Sequence, residues 1–209
     1  MTDTLAILKD QRIVPVIRSS SSKAAVTIVR ALVAAGMRAI ELTTTIPDVF
    51  STVSDCRRLF PDLVIGLGTL RSRDQALLAV DVGASLLITY KAAEDVARVG
   101  QDNNVPYILG AATPTEVDRC LELGSRIVKW FPASIYGHGI LRELHGPMPE
   151  AQFFPTGGIT LVSMTDWLTS GAVAVGIGGA LLQGGVDDPE ALASRARDAL
   201  RSVQKLPRS

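Results

Sequence analysis

The sequence predicts an α/β fold, a (β/α)8 TIM barrel with a short N-terminal helix. Three observations support this. Short apolar runs alternate with amphipathic segments eight times along 209 residues. Strict strand–helix alternation implies parallel pairing through right-handed crossovers. No low-complexity linker or shift in composition divides the chain, so residues 1–209 read as one domain, and eight units favour a closed barrel over an open doubly wound sheet. Barrels usually need about 250 residues, so the loops here must be short.

A short helix over residues 3–11 comes first. The eight apolar runs are IVPVIR (13–18), AIELTTT (39–45), VIGLGT (64–69), LLITY (86–90), PYILGAA (106–112), IVKWFP (127–132), AQFFPTGG (151–158) and VAVGIGG (173–179). Most are rich in β-branched residues and too apolar to alternate, as strands buried on both faces should be. Between them, residues 21–36 and 113–124 open on Ser or Thr cap candidates and close on glycine, the usual helix stop. Residues 188–205 form the closing helix.

Composition narrows the function. Hydrophobic residues make up 47% and charged residues 20%, enough for a substantial core. Lys plus Arg and Asp plus Glu each number 21, and aromatics are 5%, so neither the basic field nor the stacking surface of a nucleic-acid binder is present. The N-terminus carries no apolar run of signal length, and no stretch approaches the roughly 18 apolar residues of a membrane span. A cytoplasmic protein without a membrane partner is expected. Cys56 and Cys120 lack metal-ligand spacing and fall on helix patterns, where they read as packing residues. His138 and His145 alone do not make a metal site, so no metal is expected.

Catalytic side chains of a parallel barrel project from the C-terminal ends of its strands. Of five lysines only Lys129 lies inside an apolar strand, between Val128 and Trp130. Burial there favours the neutral amine, the form that attacks a ketone to make a Schiff base. A strand-end lysine that caps carboxylates or reaches water fits the same pattern. Glu41, between Ile40 and Leu42, shares a strand face with Thr43 and Thr45. It is a candidate ion-pair partner or proton shuttle for the lysine, and a purely structural pair is the alternative. Arg18 ends the first strand, where a guanidinium suits a carboxylate or phosphate and also suits plain solvation. Thr156-Gly157-Gly158 and Gly178-Gly179 close the last two strands, where barrels often cradle phosphate on bare backbone N–H groups. Thr69 adds a hydroxyl at the same face.

On these residues the chain resembles the 2-keto-3-deoxy-6-phosphogluconate (KDPG) aldolase family, including the 4-hydroxy-2-oxoglutarate aldolases. The motifs VPVIR, ELTTTIPD, GLGT, TPTE, VKWFP, FFPTGGI and GIGGAL carry the resemblance over nearly the whole chain. It implies a cofactor-free class I aldolase, usually homotrimeric, that cleaves a 2-oxo acid to pyruvate and an aldehyde. It assigns Lys129 as the Schiff-base lysine and Glu41 as the acid/base. Arg18 and Thr69 would hold the substrate carboxylate, with Thr43 beside them. Thr156, Gly157, Gly158, Gly178 and Gly179 would form the phosphate end, and Phe131 and Pro132 would line the pocket. Three departures stand out. Thr45 replaces an arginine that many members carry, Gly179 stands where a serine hydroxyl is common at the phosphate end, and Thr89-Tyr90-Lys91 replaces a common Ser-Pro at the mouth, which leaves the native aldehyde open. Two other readings keep the same glycines: a phosphate-binding barrel of another class, such as a thiamine-phosphate-synthase-like transferase, and a non-catalytic sugar-acid binding protein.

Overall fold

A computed structural model of the chain describes residues 3–207. Seven parallel strands form one sheet: β1 (Ile13–Ile17), β2 (Ala39–Thr43), β3 (Val64–Gly68), β4 (Leu86–Ile88), β5 (Tyr107–Ala111), β6 (Val128–Trp130) and β7 (Val175–Ile177). Their order is β6-β5-β4-β3-β2-β1-β7, so each strand lies beside its sequence neighbour except where β7 returns to β1. Ten α-helices among the described residues connect and cover them.

Alternation along the strands creates two cores. Val14, Ala39, Val64, Leu86, Ile88, Ile108, Ile127, Phe154 and Ala174 pack together inside the curl of the sheet. The residues between them, such as Ile13, Ile40, Ile65, Leu87 and Leu109, face outward and meet the helices. Burial on both faces explains the unbroken apolar runs.

The expected helix boundaries hold. Asp3, Ser21, Thr113 and Asp188 cap the helices Thr4–Gln11, Ser22–Ala34, Pro114–Glu122 and Pro189–Gln204 by accepting from backbone N–H groups of the first turn. At the foot of the sheet Gln11 is buried. Its amide donates to the carbonyls of Ile13 and Ala39 and accepts from the N–H groups of Arg38 and Ala39. None of the described helices is long and apolar enough to cross a membrane.

One expectation needs correction: eight strands are expected and seven are found. Residues 151–158 make only isolated bridges, Val128 with Phe153, Phe153 with Ala172, and Thr156 with Gly176. Toward β6 the pairing is regular, with Phe154 N donating to Val128 O at 2.8 Å and Thr156 N to Trp130 O at 2.9 Å. Toward β7 it is interrupted. Pro155 accepts there from Gly176 N at 2.9 Å but has no N–H to return, so the ladder loses a rung.

Candidate active site

Lys129 is the central residue of β6. Its neighbour Trp130 turns outward onto Tyr136 and Phe153, so Lys129 must turn inward. Glu41 is the central residue of β2, in register with Val16 on one side and Gly66 on the other. The curl brings the two together across 88 residues of sequence: Lys129 Nζ lies 2.9 Å from Glu41 Oε1 and 3.0 Å from Oε2. Both side chains are almost wholly buried, 5% and 1% exposed. The ring of Phe154 lies 5.8 Å from the ammonium, and the apolar interior lies beneath. A buried pair of this kind persists only because each charge satisfies the other. Shifting one proton from the amine to the carboxylate leaves both groups neutral, so a nucleophilic amine forms without stranding an ion in apolar surroundings.

The space this pair occupies depends on Gly68. A methyl group there would overlap the Glu41 carboxylate and come within 2.7 Å of its Cγ. Gly68 thus leaves the room that the Glu41 carboxylate occupies, whereas the sequence alone draws attention to its neighbour Thr69. The available signal was a glycine inside a strand, which often marks close approach.

A cleft of about 300 Å³ opens at the C-terminal ends of β1, β6 and β7. It gathers seven residues singled out in the sequence: Arg18, Phe131, Thr156, Gly157, Gly158, Gly178 and Gly179, joined by Val16, Ile159, Thr160 and Ala180. Arg18 is exposed, one residue beyond β1. Phe131 stands two residues beyond Lys129 on the same face, and Pro132 follows through a cis peptide bond. Ala133 N donates to Thr156 O at 2.9 Å and Ser134 N to Gly157 O at 3.0 Å, which ties the β6 loop to the glycine corner. Thr43 and Thr69 do not line this cleft. Thr43 is fully buried and donates to Ile17 O; Thr69 sits in a left-handed turn after β3, φ 63°.

The remaining candidates lie elsewhere. His138 Nδ1 pairs with Ser170 Oγ at 2.8 Å, and His145 Nε2 with Ala151 O at 3.0 Å. Cys56 and Cys120 are buried packing residues, their thiols pushed up to about 11 and about 12, chiefly by burial. Among the described residues no cluster of three or more His, Cys, Asp or Glu side chains is placed to hold a metal ion.

The family model for KDPG and KHG aldolase matches residues 5–194. The chain belongs to this family. Among curated KDPG aldolases, that of Treponema pallidum is 31% identical over 162 residues, 77% of each chain. The KHG/KDPG aldolase of Escherichia coli is 30% identical over 183 residues, 87% of this chain and 85% of its own. A solved KDPG aldolase from Legionella pneumophila, with pyruvate captured as a covalent carbinolamine, superposes with a TM-score of 0.88 at 26% identity, covering 95% of this chain and 98% of that one.

Proposed function

We propose that the protein is a class I aldolase that cleaves a 2-keto-3-deoxy sugar acid to pyruvate and an aldehyde. Its substrate would be 2-keto-3-deoxy-6-phosphogluconate, 4-hydroxy-2-oxoglutarate or both, giving glyceraldehyde 3-phosphate or glyoxylate. The observation that carries this reading is the buried Lys129–Glu41 pair; neither residue lines the glycine-bordered cleft, but Val16, in register with Glu41, and Phe131, two residues after Lys129, do. Family membership and the carbinolamine in the Legionella relative support it.

In this mechanism Glu41 takes a proton from Lys129, and the free amine adds to C2 of the 2-oxo acid. Glu41 returns a proton to the carbinolamine hydroxyl, water leaves, and a protonated imine forms. Glu41, now a carboxylate again, takes the C4 hydroxyl proton as the C3–C4 bond breaks. The aldehyde departs, and the bonding electrons pass into the imine to give an enamine. Protonation at C3 and hydrolysis release pyruvate and restore the amine. The 2.9 Å separation favours direct transfer between lysine and glutamate. Arg18 and Thr69 hold the carboxylate so that C2 faces the amine, and the Gly157-Gly158 and Gly178-Gly179 loops receive the far end of the substrate.

The same reading includes a ring closed at its eighth position by residues 151–158 and one domain over residues 1–209. It also includes a cytoplasmic homotrimer with a small-molecule 2-oxo acid as its partner. Cleavage assays on both substrates test the reaction. Pyruvate release by the wild type and its loss in Lys129→Ala support it; release at the wild-type rate by Lys129→Ala overturns it.

A further inference from the structure

β2 runs out into three consecutive threonines, and the first two reach in opposite directions. Thr43 Oγ1 donates to the carbonyl of Ile17 at 3.0 Å, one step past the last β1–β2 pair, Ile17 with Leu42. Thr45 Oγ1 lies 2.7 Å from the same hydroxyl. A hydroxyl has one proton, and that of Thr43 is committed to Ile17, so Thr45 is the donor in the second bond. Thr43 therefore has no proton to offer a carboxylate, and it is fully buried. The carbonyl it holds belongs to the residue immediately before Arg18.

Thr44 reaches toward β3. Its N–H donates to Gly68 O at 3.0 Å and its hydroxyl to Thr69 O at 2.9 Å. Thr69 has φ 63°, a region that β-branched residues rarely enter. Such a conformation persists only where its surroundings over-determine it. Thr44 supplies two of the ties at this turn.

We propose that Thr43 and Thr44 are positioning residues that act from the end of β2 toward its two neighbouring strands, Thr43 toward β1 and Thr44 toward β3. Thr43 sets the end of β1 and so the aim of Arg18, while Thr44 holds the strained turn that presents Thr69. Neither touches substrate. The proposal rests on the aldolase reading, in which Arg18 and Thr69 grip the substrate carboxylate.

The test is steady-state cleavage kinetics, together with the pyruvate concentration that half-saturates borohydride trapping. Thr43→Val and Thr44→Val remove the hydroxyls at nearly constant volume. Each is expected to raise KM and the half-saturating pyruvate roughly 3- to 10-fold, the range for one lost hydrogen bond, with kcat within about 2-fold. Thr43→Ser and Thr44→Ser should restore wild-type values. Adding Thr43→Val to Arg18→Ala should change nothing further, and neither should adding Thr44→Val to Thr69→Gly, because glycine adopts the turn unaided. Should a valine variant not fold, the Ser and Ala variants give the same comparison with a smaller side chain. Unchanged KM, or a valine effect that persists in full in the Arg18→Ala and Thr69→Gly backgrounds, overturns the proposal. Failure of the wild type to trap pyruvate at all overturns the aldolase reading, and the proposal falls with it.

Discussion

Gly68→Ala is the smallest change that should disable the site without touching a reacting group. The added methyl would stand 2.5 Å from Glu41 Cδ and 2.7 Å from Cγ, where ordinary contact begins near 3.4 Å. Strand β3 is held by its ladder to β2 and β4, so the carboxylate must move rather than the backbone. The shortfall is roughly 1 Å at these two carbons and greater at the nearer oxygen Oε1, and a displacement of about 1 Å already costs on the order of 10²-fold in rate. Moving the carboxylate 1 Å from Lys129 lengthens both hydrogen bonds, now 2.9 and 3.0 Å, beyond useful range. Two buried charges are then poorly paired, so a stability loss of about 2–4 kcal/mol should accompany the kinetic one. The assay is kcat for 2-oxo acid cleavage alongside thermal unfolding. A folded Gly68→Ala protein with kcat within threefold of wild type would refute the claim that the Glu41 position is critical.

Two further outcomes concern stability. Gln11→Leu leaves four backbone groups at the foot of the sheet without their partner, so it should cost about 3 kcal/mol, read as a fall in Tm of roughly 6–12 °C. An unchanged Tm would show that water or relaxation replaces the amide. Cys56 and Cys120 are raised from 9.0 to about 11 and about 12, mainly by burial, with Asp55 and Glu116 adding to the effect. The folded state thus keeps thiol protons that the unfolded state releases. Their contribution is complete below pH 9 and is lost as pH rises toward 11 and 12. Urea midpoints between pH 8 and 10.5 should fall more steeply for wild type than for Cys56→Ala/Cys120→Ala; parallel slopes would contradict this.

The chemistry was easier to read in the sequence than the sheet that presents it. A lysine bracketed by Val128 and Trp130 has no packing reason to be there, and a glutamate between Ile40 and Leu42 has none either, so both stand out against an apolar strand. Cap residues and glycine stops were legible because their signals are local. The irregular seventh position was also legible in principle, since Pro155 inside an apolar run argues against a complete ladder, but hydrophobicity alone outweighed it. What the sequence could not show was distance. Nothing local relates residue 41 to residue 129, or shows that the Thr43 proton is already spent on Ile17. Gly68 was hidden for the same reason, because its purpose is to leave room for a side chain on another strand.

Sodium borohydride reduction in the presence of pyruvate, followed by peptide mass mapping, tests the central claim most directly. The account predicts one reduced pyruvyl group per chain, located on Lys129 and absent from Lys129→Ala. An adduct on another lysine, or none under conditions that trap a known class I aldolase, would contradict it.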